Sequence, residues 1–264
     1  MDKIIIDNTY GNNSLNVNKD SYILIKDDVQ TKAFEFNIID CKVTIIDMSK
    51  ILEKKINFTN SDVNVVEVVN ENNNKTLEMI NTNSYVEYNI IDLLDNDINY
   101  NIDEKINNEG SSSNINIASI SYKNKNKDYK IYTSNLCKNT KSEINCFGIV
   151  KDKSLLNYDV SSFIKNGAKQ SVVRQSSNIL LFDEDSVGKN NPILLIEEND
   201  VKASHGSSIG KIDDDTLFYL CSRGLNKNEA TNLICLGKVE YLINKIEDES
   251  IKESLVSKFK ERMS

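Results

Sequence analysis

The sequence predicts a mainly β protein built as a β-solenoid, followed by a small C-terminal α-helical domain. Three observations carry that reading. Short β-branched runs fill the first two hundred residues, Asn-rich turns separate them in place of tight hairpin turns, and helical patterning with capping signals begins only near residue 205. The runs are Tyr22–Ile25, Ala33–Ile38, Val43–Ile46, Val63–Val69, Ile115–Ile120, Ser171–Arg174 and Ile193–Ile196. They are separated by Asn, Asp, Ser and Lys clusters, which is strand-and-turn chemistry. Met48–Lys55 is the best short helix candidate among them, and 100–128, rich in Asn, Ser and Lys, reads as a long exposed loop.

Many short strands without intervening helices suit a sandwich, a barrel or a solenoid. Asn166-Gly167 is the one clear hairpin dipeptide, and recurring Asn turns favour a parallel β-helix in which side-chain amides stack from coil to coil. No fixed-period repeat is visible. In the tail, Asp213-Asp214-Asp215 caps a first helix carrying Leu217, Leu220 and Cys221 and stopped by Gly224. Asn226 with Glu229 forms a capping box for a second helix ending at Gly237, a third starts at Lys238, and Ser250 with Glu253 opens a fourth. The expected division is a β domain over 1–205 and a helical domain over 206–264.

The chain has 264 residues, with 32 Lys+Arg against 40 Asp+Glu for a net charge of −8. A chain this long buries roughly three quarters of its unfolded surface, so it folds without a disulfide or metal. Its acidity argues against nucleic acid or an anionic membrane as a partner. No apolar run approaches the ~20 residues that cross a bilayer, and Met1–Asp7 is too short and acidic for a secretory signal. Five cysteines without a CxxC pair read as reduced thiols, which points to the cytoplasm.

Gly206-Ser207-Ser208-Ile209-Gly210-Lys211-Ile212 imitates a phosphate loop, but it has three residues between its glycines and Ile212 after the lysine, so a tight turn into the tail is the better reading. His205 is the only histidine; within one chain it excludes two-histidine metal sites and imidazole relays. The Asp213–Asp215 triplet is a helix cap before it is a carboxylate catalyst. Cys221 and Cys235 sit at apolar helical positions and read as packing, Cys41 is ambiguous, and Cys137 and Cys146 are candidate thiol ligands if a coil stacks them.

The C-terminal third resembles the SufB/SufD family, the scaffold proteins of the Suf iron–sulfur cluster assembly system. The resemblance lies in Asp200–Gly206, Ile209–Asp213 and Leu217–Gly224, continues through Ala230, Leu233, Ile234 and Gly237, and takes in Gly167, Gln175, Leu180, Leu181, Pro192 and Leu194–Ile196 upstream. It covers 146–240, and its Ser-His-Gly form is closer to SufD than to SufB. The resemblance implies a right-handed parallel β-helix, tail helices that dock a SufC-like ABC ATPase, and edge-to-edge pairing with a second SufB- or SufD-like subunit or with itself. It also places the histidine matching His205 at the subunit interface where a nascent cluster forms. Three departures stand against it: strands begin at once, without the helical N-terminal domain of longer members; Ser176 or Ser177 stands where SufB carries its cysteine; and Ala203 stands where many SufD-like chains have one.

The expectation is a non-enzymatic scaffold subunit with no tightly bound cofactor of its own and at most a transient iron–sulfur cluster in the complex. Tyr219, Ser222 and Arg223 are the expected ATPase-docking residues. A free-standing SufD-like homodimeric module is the alternative, and a β-solenoid polysaccharide lyase or hydrolase, lacking a convincing pair of carboxylates, the third.

Overall fold

Seventeen strands alternate between two wholly parallel sheets in the computed structural model, which describes residues 1–70 and 74–263. Numbered in chain order, the odd-numbered strands form one nine-stranded sheet and the even-numbered strands the facing eight-stranded sheet, each strand lying beside the next of its own set. Each coil therefore contributes one strand to each sheet, which is a parallel β-helix flattened to two faces. It opens with β1 (Asp2–Ile6) and β2 (Ser14–Val17) and closes with β15 (Val172–Leu181), β16 (Val187–Ile196) and β17 (Lys202–Gly210).

The missing period has a physical cause. Asp2 pairs with Ser21, Tyr85 with Ser112 and Val172 with Lys202, so a coil takes 19 residues at the first end, 27 in the middle and 30 at the last. Strands lengthen from 5 residues in β1 to 10 in β15, and a repeat that grows along the chain escapes any fixed-window search.

The corners do stack their amides as expected. Asp40, Asn60 and Asn83 all adopt left-handed backbone (φ 54°, 50° and 52°), and each amide donates to the residue one coil before it: Asn60 Nδ2 to Asp40 Oδ1 and Asn83 Nδ2 to Asn60 Oδ1, both 2.8 Å. Asn and Asp are the non-glycine residues that tolerate this conformation at least cost. Beside them runs a column the sequence reading missed: Ser61 Oγ accepts from Cys41 N–H and Ser84 Oγ from Ser61 N–H, at 3.3 and 2.9 Å.

The interior between the sheets is apolar for most of its length and ionic in two places. Phe36, Phe58, Ile102, Ile131 and Val160 are typical of the packed positions. In the middle, Lys54 pairs with Asp47 and, at 3.0 Å, with Glu67, while Lys75 lies 2.7 Å from Glu67. Tyr88 and Tyr100 hydroxyls both donate to Glu67 Oε2, at 2.6 and 2.7 Å. A second group joins Lys127 Nζ to Asp92 at 2.8 Å and Tyr129 Oη to the same carboxylate at 2.5 Å. The Tyr100, Tyr129 and Tyr158 rings follow one another along the register, with centroids 6.2 and 5.5 Å apart.

Several expectations are corrected. Met48–Lys55 is no helix: it turns a corner and enters β6 (Glu53–Thr59), because Lys54, Ile56 and Phe58 alternate inward. The stretch 100–128 is no loop: β10 (Ile98–Ile106), β11 (Ser112–Ser121) and the start of β12 (Asn126–Asn135) occupy it. Its polar residues are the outward half of a two-residue alternation whose inward half includes Tyr100, Ile102, Ile115 and Ile117. Gly206–Ile212 is not a tight turn, since β17 runs to Gly210 and carries the expected 205/206 division inside a strand.

The tail holds three helices, not four: α1 (Asp214–Ser222), α2 (Lys227–Ile243) and α3 (Glu249–Met263). Asp213 caps α1, and Asn226 with Glu229 forms the expected capping box on α2. α2 continues through Gly237 because Val239, Leu242 and Ile243 bury beyond it, which offsets the ~1 kcal/mol that a mid-helix glycine costs. At α3 the capping carboxylate belongs to Asp248, which accepts from Ser250 and Ile251 N–H at 2.9 and 3.2 Å; Ser250 is not the cap. Residues of α2 and α3 (Val239, Leu242, Ile243, Leu255, Phe259) pack on Ile46, Val66, Ile91, Ala118 and Ile149, the outer face of the odd-numbered sheet. Lys245 reaches both Glu87 oxygens at 2.8 Å, and Arg262 Nε donates to Leu93 O at 3.3 Å, fastening the tail to the solenoid. Among the described residues no helix is long and apolar enough to cross a membrane.

Candidate functional site

β17 and β16 are the last strands of their sheets, each paired along one side only. Every buried coil satisfies its backbone donors and acceptors through the coil on either side; this one leaves a row of them unpaired. Val187, Leu195, Ile196 and Ile209 are all more than two fifths exposed there, so the open edge is also apolar.

His205 sits on that edge. It pairs in register with Gln175 on β15, which pairs with Ile144 on β13. Gln175 is 3% exposed and donates to Ser162 Oγ at 2.8 Å and to Ile193 O at 3.0 Å, so its amide ties the two sheets together under the histidine. Ser162 also accepts from Thr133 Oγ1 at 2.9 Å. His205 itself is exposed. The structure thus presents a single exposed imidazole on an edge strand, in register with a buried amide that bridges the two sheets.

The two candidate thiols are elsewhere. Cys146 lies on β13 (Lys141–Val150), inward-facing, in the register column Ile117–Cys146–Ser177–Ser207. It is two strands away from β17, roughly 10 Å at normal strand spacing. Burial pushes its thiol up to about 12, so it is a neutral packing group under ordinary conditions. The column above it offers hydroxyls, Ser177 and Ser207, where thiols would have to stand to make a ligand set. Cys137 occupies the corner between β12 and β13, and its Sγ contacts Asn107 O at 2.9 Å. His205, Cys137 and Cys146 are thus three separate places. Among the described residues no three His, Cys, Asp or Glu side chains gather as metal donors. Cys235 packs under the tail, its thiol raised to about 12 by burial, while Cys221 is exposed.

The residues expected to dock an ATPase do form one patch. Ser222 Oγ donates to Tyr219 O at 2.7 Å, and the Arg223 guanidinium lies 5.3 Å from the Tyr219 ring centroid. α1 buries none of its residues. Phe218, next to Tyr219 in α1, is 76% exposed, and Leu233 on α2 is 52% exposed. Sequence reasoning missed both. The available signal was that Leu217 and Phe218 are adjacent on a one-turn stripe, so both cannot point at the same neighbour.

A family model described as "SUF system FeS cluster assembly, SufBD core domain" matches residues 50–238. The iron–sulfur cluster assembly protein SufD of Bacillus subtilis is 38% identical over 110 residues, covering 42% of this chain and 25% of that protein. SufD of Escherichia coli is 27% identical over 166 residues, 63% of this chain and 39% of its own length. A SufBD family protein of Pyrococcus horikoshii is 35% identical over 111 residues, 40% of this chain and 25% of its own. The matched segments thus span between a quarter and two fifths of these relatives.

Proposed function

The chain belongs to the SufBD core-domain family of the SUF iron–sulfur system, and from that premise we propose that it is a non-catalytic scaffold subunit of a cluster assembly complex. The observation that carries this is the uncapped last coil, an apolar, half-paired edge with His205 on it. A second SufB- or SufD-like chain, or another copy of this one, extends both sheets across that edge by strand addition. The cluster is cargo: this chain contributes one imidazole, and the partner contributes the thiolates that the column at Cys146, Ser177 and Ser207 does not offer. No cofactor resides in the isolated chain. The complex works in the cytoplasm, where thiols stay reduced.

A SufC-like ABC ATPase docks on the exposed face of α1 through Tyr219, Ser222 and Arg223, with Phe218 beside them. The fastening of α2 and α3 to the odd-numbered sheet supports transmission of its movement, because a rigid link carries displacement where a loose tail would absorb it.

The test is co-purification with the ATPase. Phe218→Ala/Tyr219→Ala/Arg223→Ala is expected to abolish binding with thermal stability unchanged, because α1 buries nothing; undiminished binding would refute the docking face. Anaerobic reconstitution with iron and sulfide is expected to give no stable cluster on the chain alone and a His205-dependent one with a SufB-like partner. A stoichiometric cluster on the isolated chain, lost in Cys137→Ser or Cys146→Ser, would overturn the assignment. The homodimeric module is the second reading, favoured by the same open edge; a concentration-dependent dimer that ignores the ATPase and iron would select it.

A further inference from the structure

A groove of about 400 Å³ lies between the outer face of the odd-numbered sheet and α2, its floor reaching β15, the strand next to the open edge. Three parallel rows of side chains form its floor, spaced by the two-residue repeat of the strands. The first row is Glu87, Asn114 and Glu143; the second is Asn116, Asn145 and Ser176; the third is Ala118, Phe147 and Asn178. Lys238, Tyr241 and Leu242 of α2 make the opposite wall.

The second row is the end of an amide ladder. Asn89 Nδ2 donates to Asn64 Oδ1 at 3.0 Å, Asn116 Nδ2 to Asn89 Oδ1 at 2.9 Å, and Asn145 Nδ2 to Asn116 Oδ1 at 3.0 Å. The next residue in register is Ser176, too short to continue it, so the ladder delivers a polarised terminal carbonyl, Asn145 Oδ1, into the groove. Asn116, in the same row, is only 7% exposed. The carboxylates nearby are already neutralised, Glu87 by Lys245 at 2.8 Å and Glu143 by Lys141 and Arg174 at 2.9 and 3.1 Å. Tyr241 is held by its hydroxyl on Glu87, 3.3 Å away, and by the Lys245 ammonium 4.7 Å from its ring centroid. Its ring is nonetheless 57% exposed, so one aromatic face stays available.

We propose that this groove binds a neutral polyhydroxylated ring, a pyranose sugar or its close analogue. Ladder amides and the Ser176 hydroxyl both donate and accept, as vicinal hydroxyls require, and no unpaired charge is buried there for a charged ring to meet: the floor carboxylates are held by cations, and Lys238 on the wall is exposed to water. Phe147, which is only partly buried, and the exposed Tyr241 ring supply the apolar surface that a pyranose C–H face packs against. The volume falls within the range of small-ligand sites, near its lower end.

The test is titration of the full-length, nitrogen-15-labelled chain with methyl β-D-glucopyranoside, reading the side-chain amide resonances of Asn116 and Asn145. D-Glucuronate and D-glucosamine serve as anionic and cationic versions of the same ring. Saturable shifts at both amides with the neutral ring are expected, together with about tenfold weaker responses to the charged rings. Ser176→Phe, at an exposed position, fills the groove and is expected to abolish the shifts with the thermal transition unchanged; Tyr241→Ala is expected to weaken them about tenfold as a second, smaller perturbation. The proposal is overturned by no saturable shift with the neutral ring, by equal or stronger binding of a charged ring, or by shifts that survive Ser176→Phe.

Discussion

The central coils and the last coil are made of the same strand chemistry but meet opposite fates. Around β6 to β12 each strand has a neighbour on both sides, and charged side chains such as Lys54, Glu67 and Lys127 are sealed in and paired. At β16 and β17 the neighbour is missing, the alternation of buried and exposed residues fades, and apolar residues stand in solvent. A strand in this solenoid is therefore buried by its neighbour rather than by its own composition. On the proposed function, an end coil that keeps its apolar residues without a neighbour is the surface that a partner strand covers.

The sharpest way to break the comparison is to unseal the middle. Glu67 is fully buried and balances Lys54 and Lys75, and those two ammonium groups hold its carboxyl below the usual range against the opposing effect of burial. Glu67→Ala strands Lys75 and two tyrosine hydroxyls and leaves Lys54 with Asp47 alone, with an expected loss of about 3–5 kcal/mol in urea unfolding. A loss below about 1 kcal/mol would mean water reaches the cluster and that the middle is not sealed.

Glu104 asks the same question through pH. It is inward on β10, fully buried, with no cation beside it, and burial holds it up at about 7 while the Ser113 hydroxyl opposes the shift only in part. A carboxyl raised from 4.5 to about 7 by folding takes up a proton when the chain folds. Its contribution is favourable to folding below the unfolded value and is lost as pH rises toward 7, after which the penalty is constant. At 1.36 kcal/mol per unit the penalty at pH 8 is about 3 kcal/mol. Glu104→Gln is expected to remove it, raising stability at pH 8 and flattening the profile between 4.5 and 7. An unchanged pH profile would show that the carboxylate finds a donor in the interior.

These two residues also mark what was legible in the sequence. Strand content, Asn stacking and the Asn226–Glu229 cap rest on neighbours in the chain, and short-range patterns report them. The 100–128 coil was missed because Asn, Lys and Glu serve there as outward residues, and Glu104 and Ser113 put polar atoms inside as well, which blurs the alternation. Lys54 turns inward at the start of β6, and its partners Asp47 and Glu67 lie on strands of the facing sheet, a pairing that the local pattern does not report. The edge position of His205 followed from its family motif. The separation of His205 from Cys137 and Cys146 depends on register between coils of unequal length, and that is fixed only when the chain stacks.

A smaller effect is expected at the junction between solenoid and tail. Asn226→Ala removes the side-chain acceptor for Glu229 N–H, and with it the capping box, at a cost of about 1 kcal/mol. Because α2 shares its core with the odd-numbered sheet, thermal unfolding followed by tyrosine fluorescence and by helical circular dichroism is expected to shift together. Separate transitions would show a tail that folds on its own.

The smallest effect on stability is expected where the effect on association is largest. Leu195 is outward on β16 and 46% exposed, pairing only with Phe163 on the inner side. Leu195→Lys places a charge on the open edge, the same device that natural sheets use to stay monomeric. Surface replacements of this kind change stability by less than about 0.5 kcal/mol. The same lysine lies near the end of β16 on any interface formed by strand addition there, and the loss of its water is expected to weaken association by about a hundredfold. Sedimentation or light scattering of the chain, alone and with a SufB-like partner, reads the difference. If Leu195→Lys unfolds the chain instead, the last coil is as dependent on its own packing as the middle ones, and the contrast between the two regions fails. If association survives untouched, the partner pairs at some other edge.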